Sequence, residues 1–341
     1  MISDRVRNAR LYHGWSQTEL AQHVGTTQPK ISQMESGDYT SSELLDAIAS
    51  ATQYSRTWFE QGPLPDLPTG TLRFRKQASS SVKNDERVRA HVRQAVEVIE
   101  KFSGLPQAPK VRLAPIDPNQ DCSADAIEGI AQDVREQLGV GPLDPIPNLV
   151  RAVERAGVAV IGSIIDMEFG QHSGASYWPD YPFGRPIICI SRGMPGDRQR
   201  FTTAHELGHL VLHQWRNPEA KIAELEANRF AGALLIPRDA MMEIDTPVTL
   251  RTLAHVKARW GISIRALVRR SLDVHLVDTA HRISLEKQIS SRKWNRQEPV
   301  EVPYEQPRLV GRLIELGSGT KGFASSTRLG LPPLAIRDLV A

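Results

Sequence analysis

The chain has 341 residues, of which 40% are hydrophobic and 24% charged, and its 42 Lys/Arg stand against 39 Asp/Glu for a net charge of +3. That is the composition of a globular protein of two or three domains, and it excludes disordered and fibrous classes. No run of apolar residues is long enough to span a membrane and Met1-Ile2-Ser3-Asp4-Arg5 leads into no apolar segment, so a cytoplasmic protein without membrane contact is expected; two distant cysteines, Cys122 and Cys189, fit a reducing compartment and build no disulfide framework.

The first sixty residues read as a bundle of short helices. Residues 5–11 form a first helix that stops near Gly14. Ser16-Gln17-Thr18-Glu19 has the form of a capping box and starts a second helix with Leu20, Ala21 and Val24 as its apolar stripe. Gly25 ends it, and Thr26-Thr27 opens a third helix in which Pro29 sits in the tolerant first turn. Two helices joined by a tight glycine turn are the helix-turn-helix arrangement, whose second helix presents its N-terminal residues to the major groove.

Gly14-Trp15-Ser16-Gln17-Thr18-Glu19-Leu20-Ala21, Gly25-Thr26-Thr27-Gln28 and Ile31-Ser32-Gln33-Met34-Glu35-Ser36-Gly37 resemble the phage-repressor class called Cro/C1 or XRE. The resemblance covers residues 6–61. It implies a double-stranded DNA operator as partner, with Thr27, Gln28, Lys30 and Gln33 at bases or phosphates and Gln17 on a phosphate at a helix start. Glutamine pairs bidentately with adenine, which suits direct readout. Residues 1–60 carry five Lys/Arg against seven Asp/Glu, so counterion release from this domain alone is modest. A homodimer and the basic segment that follows are expected to supply the missing affinity.

Residues 62–70 are rich in proline and glycine and read as a linker. Residues 73–112 hold ten Lys/Arg against four Asp/Glu. Within them a helix is predicted over 82–102, with Val88, Val92, Ala95, Val96 and Ile99 on one side, either pairing with its copy in a dimer or packing on the next domain. Residues 113–250 reverse the balance, with eleven basic against nineteen acidic. Ser123 caps a helix through about residue 138, and Ile146-Pro147-Asn148-Leu149-Val150 opens another that ends near Gly157. Short apolar runs at 158–161, 174–178 and 186–190 predict a small sheet, whose edge strand could hold an extended peptide. His172, Tyr177 and Tyr181 are candidate oxyanion or substrate contacts beside it.

The chemistry concentrates in Arg200-Phe201-Thr202-Thr203-Ala204-His205-Glu206-Leu207-Gly208-His209-Leu210-Val211-Leu212-His213. A four-residue step is slightly more than one helical turn, so His205 and His209 share a face with Glu206 beside them. Two imidazoles on one face suit zinc, and Glu206 is then placed to act as base toward a water. Phe201, Ala204, Gly208, Val211, Leu212 and Trp215 make an apolar stripe along the same predicted helix. The next helix, residues 221–236, ends at Pro237 and carries two candidates for a third ligand. Helical phase puts Glu224 with Ala227, Asn228 and Ala231, and Glu226 about 200° away, which favours Glu224. Asn228, one turn on, is expected to orient a ligand, and His213, about 12 Å along the helix from His205, is expected in a supporting or helix-end role.

His-Glu-Leu-Gly-His followed by Glu-Leu-Glu-Ala-Asn-Arg-Phe-Ala-Gly-Ala-Leu-Leu-Ile-Pro resembles the ImmA/IrrE family of zinc metallopeptidases over residues 123–237. The resemblance implies a gluzincin-like site with His205, His209 and Glu224 on Zn2+ and Glu206 as general base. Further on, helices are predicted over 250–260, 263–276 and 278–288, with Arg265, Arg269 and Arg270 on a solvated side, in a basic stretch of eleven Lys/Arg against four acids over 251–299. An extended connection over 297–307 and two short helices, 309–316 and 329–340, complete the chain.

The predicted fold class is mainly α with a small β-sheet (α+β). Its parts are a helix-turn-helix domain (1–61), a linker and basic helix suited to dimerisation (62–112), a gluzincin-like metallopeptidase domain (113–245) and a helical C-terminal region (246–341). The two resemblances imply a DNA-binding transcriptional regulator, expected to be a repressor, whose zinc domain senses a signal or cleaves a partner repressor or the chain itself, with residues 69–84 as a self-cleavage target. The alternative is an antitoxin or phage-type repressor in which that domain is a non-catalytic module holding a toxin, another partner protein or a ligand.

Overall fold

The computed structural model describes residues 2–67, 82–166, 174–179, 184–320 and 324–340. Helices α1 (Ile2–Tyr12), α2 (Gln17–His23), α3 (Gln28–Ser36), α4 (Ser42–Thr52) and α5 (Arg56–Phe59) form the N-terminal bundle. Its starts are written in the sequence. The Ser16/Glu19 capping box opens α2, and Ser41 and Ser55 accept the N–H groups that open α4 and α5. Val6, Ala9, Leu20, Ile31, Met34 and Ile48 are buried at its centre. Arg10 clamps α1 to α3 through two bonds to Glu35, at 2.6 and 2.8 Å.

The long helix α6 (Val82–Ser103) follows, then α7 (Ala124–Gln137) and α8 (Leu149–Arg155). Strands β1 (Ala159–Asp166), β2 (Gly174–Tyr177) and β3 (Ile187–Arg192) make one sheet in the order β1-β3-β2. β1 runs parallel to β3 with Ala159 opposite Ile187, and β2 antiparallel to β3 with Gly174 opposite Ile190. Next come α9 (Gly196–Leu212), α10 (Ala220–Leu235), α11 (Arg238–Met242), α12 (Leu250–Trp260), α13 (Ile264–Asp273) and α14 (Thr279–Ser291). The tail holds α15 (Leu309–Ser318), α16 (Ala324–Leu329) and α17 (Pro333–Val340). None of the described helices is long and apolar enough to cross a membrane.

Successive side chains of a strand point to opposite faces, and here both faces are covered. Ala159, Ile161, Ala175, Ile187 and Cys189 join the core shared by the N-terminal bundle, α6 and the tail helices. Val158, Val160, Ile188 and Ile190 join a second core built from α7 to α10 and α12 to α14. The chain is therefore layered: tail and α6, sheet, then α9 and α10.

Helix α6 is the spine of the first core. Val88, Val92, Ala95, Val96 and Ile99 are all buried within one chain, so a homodimer would have to use another surface. Charges fix the docking of the N-terminal bundle: Arg5 meets Glu97 at 2.5 Å and stacks over Trp58, and Arg93 takes both oxygens of Asp4 at 2.8 Å. Residues 62–67 of the predicted linker lie on this surface with Leu64 and Leu67 buried, and Arg5 and Arg93 bonded to the carbonyls of Gly62 and Pro65. Residues 68–81, which hold most of the self-cleavage candidate, fall outside the described residues.

Several sequence expectations change. The helix expected from Ile146 begins at Leu149, because Asn148 caps it by accepting the Arg151 N–H at 2.8 Å. The apolar stripe of α9 does not reach Trp215, since the helix ends at Leu212 and Trp215 is half exposed. Arg270, expected on a solvated side with Arg265 and Arg269, is buried; it bonds Glu128 at 2.5 and 2.7 Å and the Ile236 carbonyl at 3.1 Å, tying α13 to α7. The tail has three described helices rather than two.

The bundle and the tail meet at Tyr12. Its hydroxyl donates to Asp338 at 2.9 Å and its ring stacks on His91 at 3.9 Å. His91 Nε2 bonds the Tyr12 carbonyl at 3.1 Å, while its buried Nδ1 has no hydrogen-bond partner among the described residues. Burial pushes the His91 pKa down to about 3. The folded chain therefore refuses a proton that the unfolded chain accepts below about pH 6.5, and stability is lost as pH falls from there toward 3. Asp338, 3.8 Å from Nδ1, has its carboxyl raised by burial and pulls the other way, so the histidine is isolated by comparison. Between about pH 7 and pH 5, urea denaturation should show His91→Leu losing less stability than the parent chain, by about 2 kcal/mol.

Candidate metal centre and DNA-reading surface

Helix α9 carries His205 and His209 on its buried side, and α10 crosses close against it. The close crossing depends on Gly208: a Cβ there would lie 2.9 Å from the Phe230 ring. With the helices in contact, Glu224 reaches the histidine pair. Its carboxylate oxygens lie 3.6 Å from His205 Nε2 and 3.4 Å from His209 Nε2, and the two Nε2 atoms are 3.1 Å apart. These three side chains form a group able to hold one metal ion. Two ligands on a tetrahedral zinc with bonds of about 2.0–2.1 Å stand about 3.3 Å apart, so the spacing fits.

The surrounding partners favour one assignment of the ring protons. Asn228 Oδ1 lies 3.1 Å from His205 Nδ1, so that nitrogen donates and His205 Nε2 keeps its lone pair. His213 caps the end of α9, with its Nε2 2.8 Å from Glu226 and its Nδ1 2.9 Å from His209 Nδ1. Burial opposes ionisation of Glu226, but bonds from Arg216 and His213 hold its carboxyl below the usual value. A carboxylate there makes His213 Nε2 the donor. A neutral His213 then accepts from His209 Nδ1, and His209 Nε2 also keeps its lone pair. With both Nε2 atoms unprotonated, two lone pairs and a carboxylate share one small space, an arrangement that a bound cation would satisfy.

Glu206 stands beside this space, buried, and accepts a hydrogen bond from Ser176 Oγ at 2.8 Å. The bond exists because β2 passes directly over α9. A Cβ on Gly174 would meet Glu206 and Thr202 at 2.7–2.9 Å. A cleft of about 280 Å³ opens next to His209, lined among others by Ser176, Trp178, His213 and Trp215. Tyr177, a candidate oxyanion contact, has its hydroxyl 3.3 Å from the Asp66 carbonyl. His172 and Tyr181 lie outside the described residues.

Ser176, Glu226 and Arg216 did not emerge as site residues from the sequence. Helical phase separated Glu226 from Glu224, but its use against His213 depends on how α9 ends. Arg216 pairs with Glu226 at 2.9 Å and also reaches Cys122 Sγ at 2.8 Å. The first core positions α9 through a strap from the tail: Gln199 exchanges two 2.7 Å bonds with the Glu305 backbone, and Arg200 pairs with the Glu305 side chain.

On the N-terminal bundle, Thr27, Lys30 and Gln33 are exposed along α3. Thr27 is the N-cap of α3, yet its side chain makes no capping bond. Gln28 and Gln17 are half buried and joined: Gln28 Nε2 donates to Gln17 Oε1 at 2.7 Å, and Gln17 Nε2 to Glu35 at 2.9 Å. Gln17 is thus anchored to the Arg10–Glu35 clamp, so the expected phosphate contact would have to be made around an existing bond.

The histidine chain gives a direct test. Removing the group that orients a ligand typically weakens metal binding about 10–100-fold. His213→Ala and Asn228→Ala should each do so in a chelator competition titration, whereas Gln214→Ala, whose amide bonds the Trp178 carbonyl instead, should not.

A family model described as helix-turn-helix matches residues 6–59, the span of the N-terminal bundle. A second, described as IrrE N-terminal-like domain, matches residues 154–272 and takes in the sheet, α9, α10 and α13. The chain accordingly joins an XRE-type helix-turn-helix domain at residues 6–59 to a peptidase-like domain, similar to the IrrE/ImmA kind, at residues 154–272.

Proposed function

We propose that the chain is a transcriptional repressor whose zinc centre hydrolyses a peptide bond, in a partner repressor or in the chain itself, and so changes DNA occupancy. The observation that supports this reading is the convergence of the His205, His209 and Glu224 side chains, next to a buried Glu206. Zinc held by those three side chains supplies Lewis acidity toward water and a peptide carbonyl.

The rest falls to the chain's own residues. Glu206 takes the proton of the attacking water and hands it to the leaving amine. Ser176 holds one oxygen of Glu206 and so aims the other. β2 is the edge strand next to α9, placed to take an extended peptide as an added strand. Exposed Trp215, Ile222 and Leu225, in and after the α9–α10 connection, offer apolar contact to such a peptide. Self-cleavage draws support from Asp66, whose carbonyl already lies against Tyr177 of that strand.

The helix-turn-helix domain reads double-stranded DNA through Thr27, Gln28, Lys30 and Gln33. Two half-sites read by a homodimer would make up for its acidic balance.

Glu206→Gln keeps shape and removes the base. New protein N-termini mapped by mass spectrometry in cells expressing the parent chain should be absent, or at least about 100-fold reduced, with this variant. Identical sets of N-termini would leave the non-catalytic reading, a partner- or ligand-binding module on a DNA-binding domain.

A further inference from the structure

A cavity of about 790 Å³, sharing no residue with the metal centre, lies between α8 and α15. Its size is that of a pocket for a small organic molecule. Leu309 and the half-buried Val340 give it apolar contact surface, with Leu313 and Ile314 buried behind them. Arg151 and Arg155 reach it from successive turns of α8, and Arg308 and Arg312 from the start of α15.

Among the described residues, the acids lining it are Glu154 and Glu315. Glu154 is already committed: one oxygen accepts the N–H groups of Arg308 and Leu309 at 2.8 and 2.7 Å, capping α15, and the other takes Arg151 at 3.2 Å. Glu315 stands 3.9 Å from Arg312. Arg155 bonds only the Arg151 carbonyl, at 3.3 Å, and the Arg308 guanidinium has no hydrogen bond or ion pair among the described residues. Two guanidinium groups are therefore left without a counter-charge above an apolar floor. Arginine forks match carboxylate or phosphate oxygens, and an apolar floor rewards a hydrocarbon or aromatic body.

We infer that this cavity binds a small organic anion with an apolar body, its charged head on Arg155 and Arg308 and its body on Leu309 and Val340. Helix α15 also rests on α6, so closely that a Cβ on Gly317 would overlap the Phe102 ring. The ligand thus sits one helix away from the spine that carries the DNA-reading bundle.

The full chain titrated with anilinonaphthalene sulfonate, followed by fluorescence and competed with decanoate or decanol, tests this. One saturable site per chain is expected, displaced at least about tenfold better by the anion than by the alcohol, since charge-assisted contacts are worth that much. Arg155→Glu/Arg308→Glu, a surface change, should weaken the site at least about tenfold at unchanged Tm. Gly311→Leu should fill the cavity and abolish binding, because a Cβ at Gly311 meets only Val340, at 3.5 Å. Absence of a saturable site, equal displacement by decanol, or binding unchanged in both variants would overturn the assignment.

Discussion

A methyl group at position 208 would press on the Phe230 ring at 2.9 Å, and the arrangement of the metal centre follows from the hydrogen that stands there instead. Glycine costs a helix about 1 kcal/mol relative to alanine. In return α10 lies tight against α9, Glu224 reaches the two histidines and Asn228 reaches His205. Gly174 plays the same part on the other side, letting β2 pass over Glu206 so that Ser176 can hold it. Two close approaches thus set both the His205–His209–Glu224 cluster and the place of Glu206 beside it.

The sheet ties this centre to the DNA-reading bundle. Its two apolar faces belong to different cores, one containing α9 and α10, the other containing α6, the tail and the N-terminal helices. Tail residues bind both: Glu305 locks the start of α9, and Asp338 receives the Tyr12 hydroxyl. A change at either end has a packed path to the other through β1 and α6, while Lys30 and Gln33 remain exposed on the bundle.

Much of this was legible in the sequence because it is local. Caps at Ser16, Ser123 and Asp278 mark helix starts, the four-residue step sets His205 over His209, and helical phase separates Glu224 from Glu226. What stayed hidden is long-range. Nothing near Arg270 announces Glu128, which lies 142 positions away, and the burial of the α6 stripe within one chain depends on tail helices that read only as short amphipathic segments. His213 is expected in a supporting or helix-end role, but its partners are not legible in the sequence. It became the holder of His209 because α9 ends there and turns the ring toward Glu226.

We propose that His205, His209 and the Glu224 carboxylate hold one cation between them. Elemental analysis of the full chain, purified without added metal beside a His205→Ala/His209→Ala variant, tests it most directly. About one zinc per parent chain and none in the variant is expected. Metal in neither protein, or zinc retained after both histidines are gone, would contradict it.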